Sequence, residues 1–211
     1  MEYLEFRNAR KDFLEKNKRK DHAFVLGSGD VLLSAPHGVS QVRLGKRKVQ
    51  ESGSLCTALL LQQLTNSHLI AKTKNNFDDA NFDPACEYRT SLDEFVMRHN
   101  IKYVVDIHGL ASFRDMDINL GTNLGRNIES DIKIFDDLAD DLKRAGFVVS
   151  VDQPFSGDID TIAGSTKQKH KSLWTIQIEI NSNLTNKKQN FKRFLKLVSI
   201  IENWIENIKN K

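Results

Sequence analysis

Short apolar runs alternate along the chain with longer stretches in which apolar residues recur at helical spacing, a pattern that predicts strands interleaved with helices. The first twenty residues read as a charged amphipathic helix carrying Leu4, Phe6, Phe13 and Leu14. Two apolar runs, 23–26 and 31–33, flank Gly27-Ser28-Gly29-Asp30 and predict a hairpin. A helix is expected over 53–65, a strand over 68–72 and a long Asn-, Asp- and Phe-rich loop over 73–87. Next come a helix over 90–99, a strand over 103–107 and a short strand over 116–121. A helix over 131–145, stopped by Gly146, leads to a strand at 147–151 and a second long loop at 152–171. A strand over 173–180 precedes a terminal helix from about 187, with the stripe Phe191, Phe194, Leu195, Val198, Ile201, Ile205 and Ile208. Alternation of this kind predicts an α/β fold, a sheet flanked by helices on both faces in three layers, within one domain spanning residues 1–211.

Three of the apolar runs lead directly into polar clusters. Val31-Leu32-Leu33 leads into Ser34-Ala35-Pro36-His37-Gly38, Tyr103-Val104-Val105 into Asp106-Ile107-His108-Gly109, and the run ending at Ile178 into Glu179-Ile180-Asn181. Open α/β sheets place their chemistry beyond the carboxyl ends of strands, so two imidazoles and a carboxylate are expected at one sheet edge.

Composition narrows the function classes. The chain has 211 residues, 39% hydrophobic and 28% charged, with a net charge of +3, which suits an ordinary globular protein. A basic stripe with aromatic platforms is missing, so nucleic acid is not an expected partner. No apolar run reaches membrane-spanning length, no signal peptide is evident near Met1, and a cytoplasmic protein is expected. Cys56 and Cys86 form no metal-binding spacing, and Cys56 reads as a buried reduced thiol.

A catalytic zinc takes three protein ligands and keeps one position open. His37 and His108 are the strongest pair among six histidines, each expected at a strand end and each followed by glycine, which lets a ligand approach without a Cβ in the way. Taken singly, each reads more often as a hydrogen-bonded turn histidine; as a pair, their matching contexts favour a site. Glu51, expected at a helix N-terminus, is a candidate third ligand or simply a partner of the helix dipole, and Asp83 is its rival. Asp106, two residues before His108, reads as the acceptor of the second N–H of that imidazole or as the cap of a neighbouring loop. Glu179 is costly to bury unless it is functional or paired, and reads as a general base. Gln177, Glu179 and Asn181 share one strand face, which makes Asn181 a candidate substrate contact. Arg89 and Arg114 are candidates to clamp a substrate carboxylate, since guanidinium matches it bidentately, or equally surface ion-pairing residues, the reading preferred for Arg126.

The ordered set Ser-Ala-Pro-His-Gly, a Glu opening the next helix, Asp-Ile-His-Gly, Asp117 to Thr122, Gly157 and Gln-Ile-Glu-Ile-Asn resembles the N-formylglutamate amidohydrolase family. It is also similar to the phage poly-γ-glutamate hydrolases, relatives with a zinc-carboxypeptidase-like core. The resemblance covers about residues 30 to 181 and implies a phosphorylase/hydrolase-like mixed sheet. It further implies zinc held by His37, Glu51 and His108, with Glu179 as the catalytic carboxylate. The expected activity is zinc-dependent hydrolysis of an N-acyl amino acid or a γ-glutamyl-type amide, on a small-molecule or peptide substrate bearing a carboxylate. A non-catalytic module that holds an anionic ligand at the same edge is the alternative, and metal content separates the two.

Overall fold

The structure, a computed structural model, describes residues 1–209. Its helices are α1 (Tyr3–Asn17), α2 (Ser52–Thr65), α3 (Glu87–Arg98), α4 (Ile132–Arg144), α5 (Ile162–Lys169), α6 (Ser182–Asn186) and α7 (Phe191–Lys209). The strands are β1 (His22–Val25), β2 (Val31–Ala35), β3 (Gln41–Arg43), β4 (Lys46–Lys48), β5 (His68–Lys72), β6 (Tyr103–Leu110), β7 (Ile118–Gly121), β8 (Val149–Val151) and β9 (Trp174–Asn181).

Seven strands form one mixed sheet in the order β1-β5-β2-β6-β9-β7-β8, and β3 and β4 form a separate two-stranded ribbon. β5, β2, β6 and β9 run parallel, while β1 and β7 pair antiparallel with β5 and β9. Every residue of β2, β5 and β9 is buried, as expected of parallel strands covered on both faces. Period-two alternation divides the core. Val31, Leu33, Ala35, Leu69, Ala71, Val105 and Ile107 join a cluster with α2, α4 and α7 residues. Leu32, Ile70 and Val104, one residue out of step, join a second cluster with Leu92, Phe95 and Val96 of α3 and Ile162 of α5. Three layers result, with a mixed sheet between two layers of helices.

From β2 the chain crosses through α2 to β5 on one side, then through α3 to β6 on the other. The winding therefore reverses at β2, between whose carboxyl end and that of β6 a crevice opens, the position where open α/β sheets bind ligands.

Several expectations are corrected. β1 and β2 are not a hairpin, because β5 lies between them. The Gly27 turn packs so closely on the segment before β5 that a Cβ there would lie 2.2 Å from the Asn66 carbonyl oxygen. The expected loop over 152–171 contains α5, capped by Thr161, whose side chain accepts from the Gly164 N–H. Residues 41–48, to which the sequence pattern assigns no element, form a ribbon whose turn, Leu44 and Gly45, has φ of 50° and 72°.

Candidate metal centre

His37 lies two residues beyond β2, while His108 and Glu179 stand inside β6 and β9 rather than at their ends, because pairing continues to Leu110 and Asn181. His108 and Glu179 are partners in that register, as are Asp106 and Gln177, and Ser34 is paired with Asp106. Alternation therefore gathers Ser34, Asp106, His108, Gln177 and Glu179 on one sheet face, while Val105, Ile107, Ile176 and Ile178 join the apolar cluster on the other.

Glu51 reaches this face despite its distance in sequence from His37. The Glu51 N–H donates to the His37 carbonyl at 2.9 Å, closing the 37–51 segment so that the β3–β4 ribbon becomes an excursion from a fixed base. Glu51 is the N-cap of α2, yet its side chain makes no cap hydrogen bond. Its Oε1 lies 2.8 Å from His37 Nδ1, and its Oε2 lies 3.4 Å from His108 Nδ1 and accepts the Gly109 N–H at 2.9 Å. Gly109 permits the approach, since a Cβ there would stand 3.0 Å from the Glu51 Cβ.

Both imidazoles are held from behind. His37 Nε2 lies 2.9 Å from Asp79 Oδ1, and His108 Nε2 lies 2.8 Å from Asp106 Oδ2. Asp79 and Asp106 are fully buried. Asp106 Oδ1 accepts from the Ser34 hydroxyl at 2.7 Å, and that hydroxyl lies 3.0 Å from the Tyr88 hydroxyl. Carboxylates placed this way fix the ring protons on Nε2 and leave both Nδ1 lone pairs facing inward.

Those two Nδ1 atoms are 3.2 Å apart. Lone pairs at that distance repel unless a proton or a metal cation lies between them. Two nitrogens bound at 2.0–2.1 Å in a tetrahedral zinc site are separated by roughly 3.3 Å, so the donor set fits zinc. One donor atom from each of His37, Glu51 and His108 lies within 4.8 Å of the others.

The surrounding carboxylates make the imidazole pair a place that favours positive charge. Burial disfavours charge on His37, but Glu51 beside it and the Asp79 hydrogen bond outweigh this and raise its pKa. Burial acts likewise on His108, where Asp106 prevails and the pKa rises well above normal. Glu51 is half-buried and Asp79 fully buried, yet His37 and His108 hold the first, and His37 and Arg43 the second, well below the usual carboxylate range. Glu179 behaves oppositely: burial pushes it up to about 7, against the pull of His108. The Gln177 amide donates to Glu179 Oε1 at 2.8 Å.

A cavity of ≈ 320 Å³ opens over these groups, lined among others by His37, Glu51, His108, Gln177 and Glu179. Other sequence candidates lie elsewhere. Asp83 is not part of the cluster; its Oδ2 accepts the Asp79 N–H at 2.7 Å and shapes the loop. Arg89 is buried and donates to the Ala80 carbonyl, the Ser165 hydroxyl and the Asp160 carbonyl, which leaves it braced between loops rather than free to clamp a substrate. Asn181 donates to the Arg114 and Met116 carbonyls and accepts from the Asn183 N–H, so its amide holds the chain after β6. Arg114 does not line the cavity; it lies over the rings of Phe113 and Phe155, and only Phe155 reaches the lining. Arg126 is exposed, as expected.

Three residues that the sequence reading did not single out take part. Asp79 supports His37, and Arg43 and Lys48 line the cavity from the ribbon. The signals for them were the acidic loop that holds Asp79 and the basic run 43–48.

Residues 86–185 match the model of the N-formylglutamate amidohydrolase family. The match includes Asp106, His108 and Glu179 and begins after His37 and Glu51. Among solved structures, gene product Atu2144 from Agrobacterium tumefaciens is similar with a TM-score of 0.64 and 14% identity, over 92% of this chain and 98% of that one. A bacteriophage poly-γ-glutamate hydrolase is similar with a TM-score of 0.57 and 13% identity, over 93% and 95% of the two chains. YNDL in its zinc-free apo form gives a TM-score of 0.54 and 21% identity, over 92% and 94%. These likenesses show a shared fold. No curated protein matches the chain. Among the described residues, no helix is long and apolar enough to cross a membrane. The stretch that supplies His108 and Glu179 thus carries the pattern of the N-formylglutamate amidohydrolase family.

Proposed function

We propose that the protein is a zinc-dependent amidohydrolase that cleaves the amide of an N-acyl amino acid or a γ-glutamyl-type bond, with residues 1–211 acting as one domain. The observation that carries this reading is the pair of inward-facing Nδ1 atoms 3.2 Å apart, each ring anchored from behind by a buried carboxylate. His37, Glu51 and His108 are the proposed ligands. Zinc bound there would supply Lewis acidity, polarising a carbonyl and making water easier to deprotonate.

Glu179 takes the proton from the attacking water and returns it to the leaving nitrogen. Burial pushes its carboxyl up to about 7, towards the range in which a group both accepts and donates protons readily. The Gln177 amide orients it, and both side chains are buried. Asp79 and Asp106 hold the imidazoles in the tautomer that presents Nδ1. The family match over residues 86–185 supports the reaction class.

The test is hydrolysis of N-acyl-glutamates and γ-glutamyl peptides by zinc-reconstituted protein and by the chelated form. Zinc-dependent release of a free amine is expected. Zinc binding without turnover of any amide in that screen would favour the alternative of a non-catalytic anion-binding module.

A further inference from the structure

The cavity over the metal centre has two walls of opposite charge. One is the β3–β4 ribbon. Antiparallel register pairs Gln41 with Lys48 and Arg43 with Lys46, which puts Arg43 and Lys48 on the same ribbon face, and both line the cavity. The ribbon is fixed to the acidic loop by the Val42 N–H, which donates to the Asp78 carbonyl at 3.0 Å. Arg43 bonds Asp79 Oδ2 through Nε at 2.9 Å and Nη2 at 2.8 Å, and its guanidinium lies 4.8 Å from the Phe82 ring centroid. Lys48 Nζ is 3.8 Å from the same oxygen, too far for a hydrogen bond. One Asp79 carboxylate thus faces His37, Arg43 and Lys48 together, and positive charge remains for an incoming anion. The other wall is the 154–161 segment, which brings Asp158 and Asp160 to the lining. The Asp158 carboxylate accepts from the Asp160 N–H and the Ser156 hydroxyl, and among the described residues neither aspartate has an ion-pair partner.

We propose that Arg43 and Lys48 are the carboxylate-recognition residues of this site, and that Asp158 and Asp160 bias it towards substrates charged on one side of the scissile amide only. The inference rests on the amidohydrolase reading and narrows its substrate class. An N-acyl amino acid with an uncharged acyl group fits, with its carboxylate on the ribbon side. A γ-glutamyl chain, which has carboxylates on both sides of each amide, meets the acidic wall. Arg43 is preoriented by Asp79 and stacked on Phe82, whereas Lys48 is free to move onto the ligand as a point charge.

Calorimetric binding to metal-free protein tests the subsite apart from turnover, with N-acetylglutamate and its uncharged diamide as probes. Wild-type protein should prefer the acid. Lys48→Gln should weaken acid binding by about 10- to 100-fold, the range of one charge-assisted hydrogen bond, and leave diamide binding as it was. Arg43→Lys should weaken acid binding as well, although it also disturbs Asp79, so the Lys48 variant decides. On the zinc-loaded chain, the double variant Asp158→Asn/Asp160→Asn should narrow the KM gap between N-acetylglutamate and a γ-glutamyl trimer. Equal binding of acid and diamide by wild-type protein, or unchanged acid binding in Lys48→Gln, would overturn the subsite. A KM gap unaltered by the double aspartate variant would overturn the acidic wall's part in selectivity. Acid-selective binding through Lys48 with no amide hydrolysed would uphold the subsite and reject the enzymatic reading.

Discussion

Glu51 and His37 are joined twice, through the main chain at 2.9 Å and through Oε1 to Nδ1 at 2.8 Å. The first joint fixes where the helix begins, and the second turns the carboxylate away from its own helix end and towards the imidazole pair. Only the second depends on the side-chain charge. Glu51→Gln should therefore keep the fold, read as an unchanged far-ultraviolet dichroism spectrum, and weaken zinc by more than the roughly 10–100-fold typical of a supporting partner. Zinc titration checks it, and an affinity equal to wild type would remove Glu51 from the ligand set.

The supporting carboxylates should matter less than the ligands, but measurably. Asp79→Asn keeps the shape of the side chain and withdraws the charge behind His37. Zinc affinity should fall by about 10–100-fold, with stoichiometry preserved at saturating metal.

Glu179 should separate metal binding from turnover. Glu179→Gln should retain zinc and slow amide hydrolysis by roughly 10²–10⁴-fold, the usual contribution of acid–base help. Loss of metal in this variant would make Glu179 a ligand and reverse the assignment with Glu51.

Away from the site, Lys72 is buried with its Nζ 2.5 Å from Asp21 Oδ1 and 2.6 Å from Asp78 Oδ2. Burial alone would raise the pKa of Asp21, but Lys72 and His22 hold it below its ordinary value. A depressed carboxylate stabilises the fold above its unfolded pKa of about 3.9, and that contribution is lost as pH falls through the folded value. Lys72→Met removes the cation that Asp21 and Asp78 share and should cost about 3–5 kcal/mol at neutral pH. The deficit should shrink below pH of about 4, where Asp21 protonates. Urea denaturation of both proteins at pH 7 and pH 3.5 measures it, and a deficit independent of pH would mean that lost packing is responsible.

What the sequence revealed and what it hid follow from the range of the interactions involved. His37, His108 and Glu179 were legible because each interrupts or closes a strongly apolar strand, a local signal. The sheet order was not, since the turn residues between β1 and β2 look the same whether their strands pair with each other or with a third strand. The β3–β4 ribbon was hidden because Gln41 to Lys48 lacks apolar alternation and its turn puts a leucine at positive φ. α5 is short and contains Gly164, so its helical period is weak. Arg89 and Asn181 illustrate a third limit. Their chemistry suits substrate binding, but three partners each, two of them from distant segments, occupy their polar groups, and only tertiary structure shows this.

The central claim is that His37, Glu51 and His108 form one zinc site. Elemental analysis of protein refolded or dialysed with zinc tests it most directly. The account predicts about one zinc per chain in the wild-type protein and close to none in His37→Ala/His108→Ala, with both chains folded by dichroism. A wild-type chain that takes up no zinc, or a double variant that keeps it fully, would contradict the account.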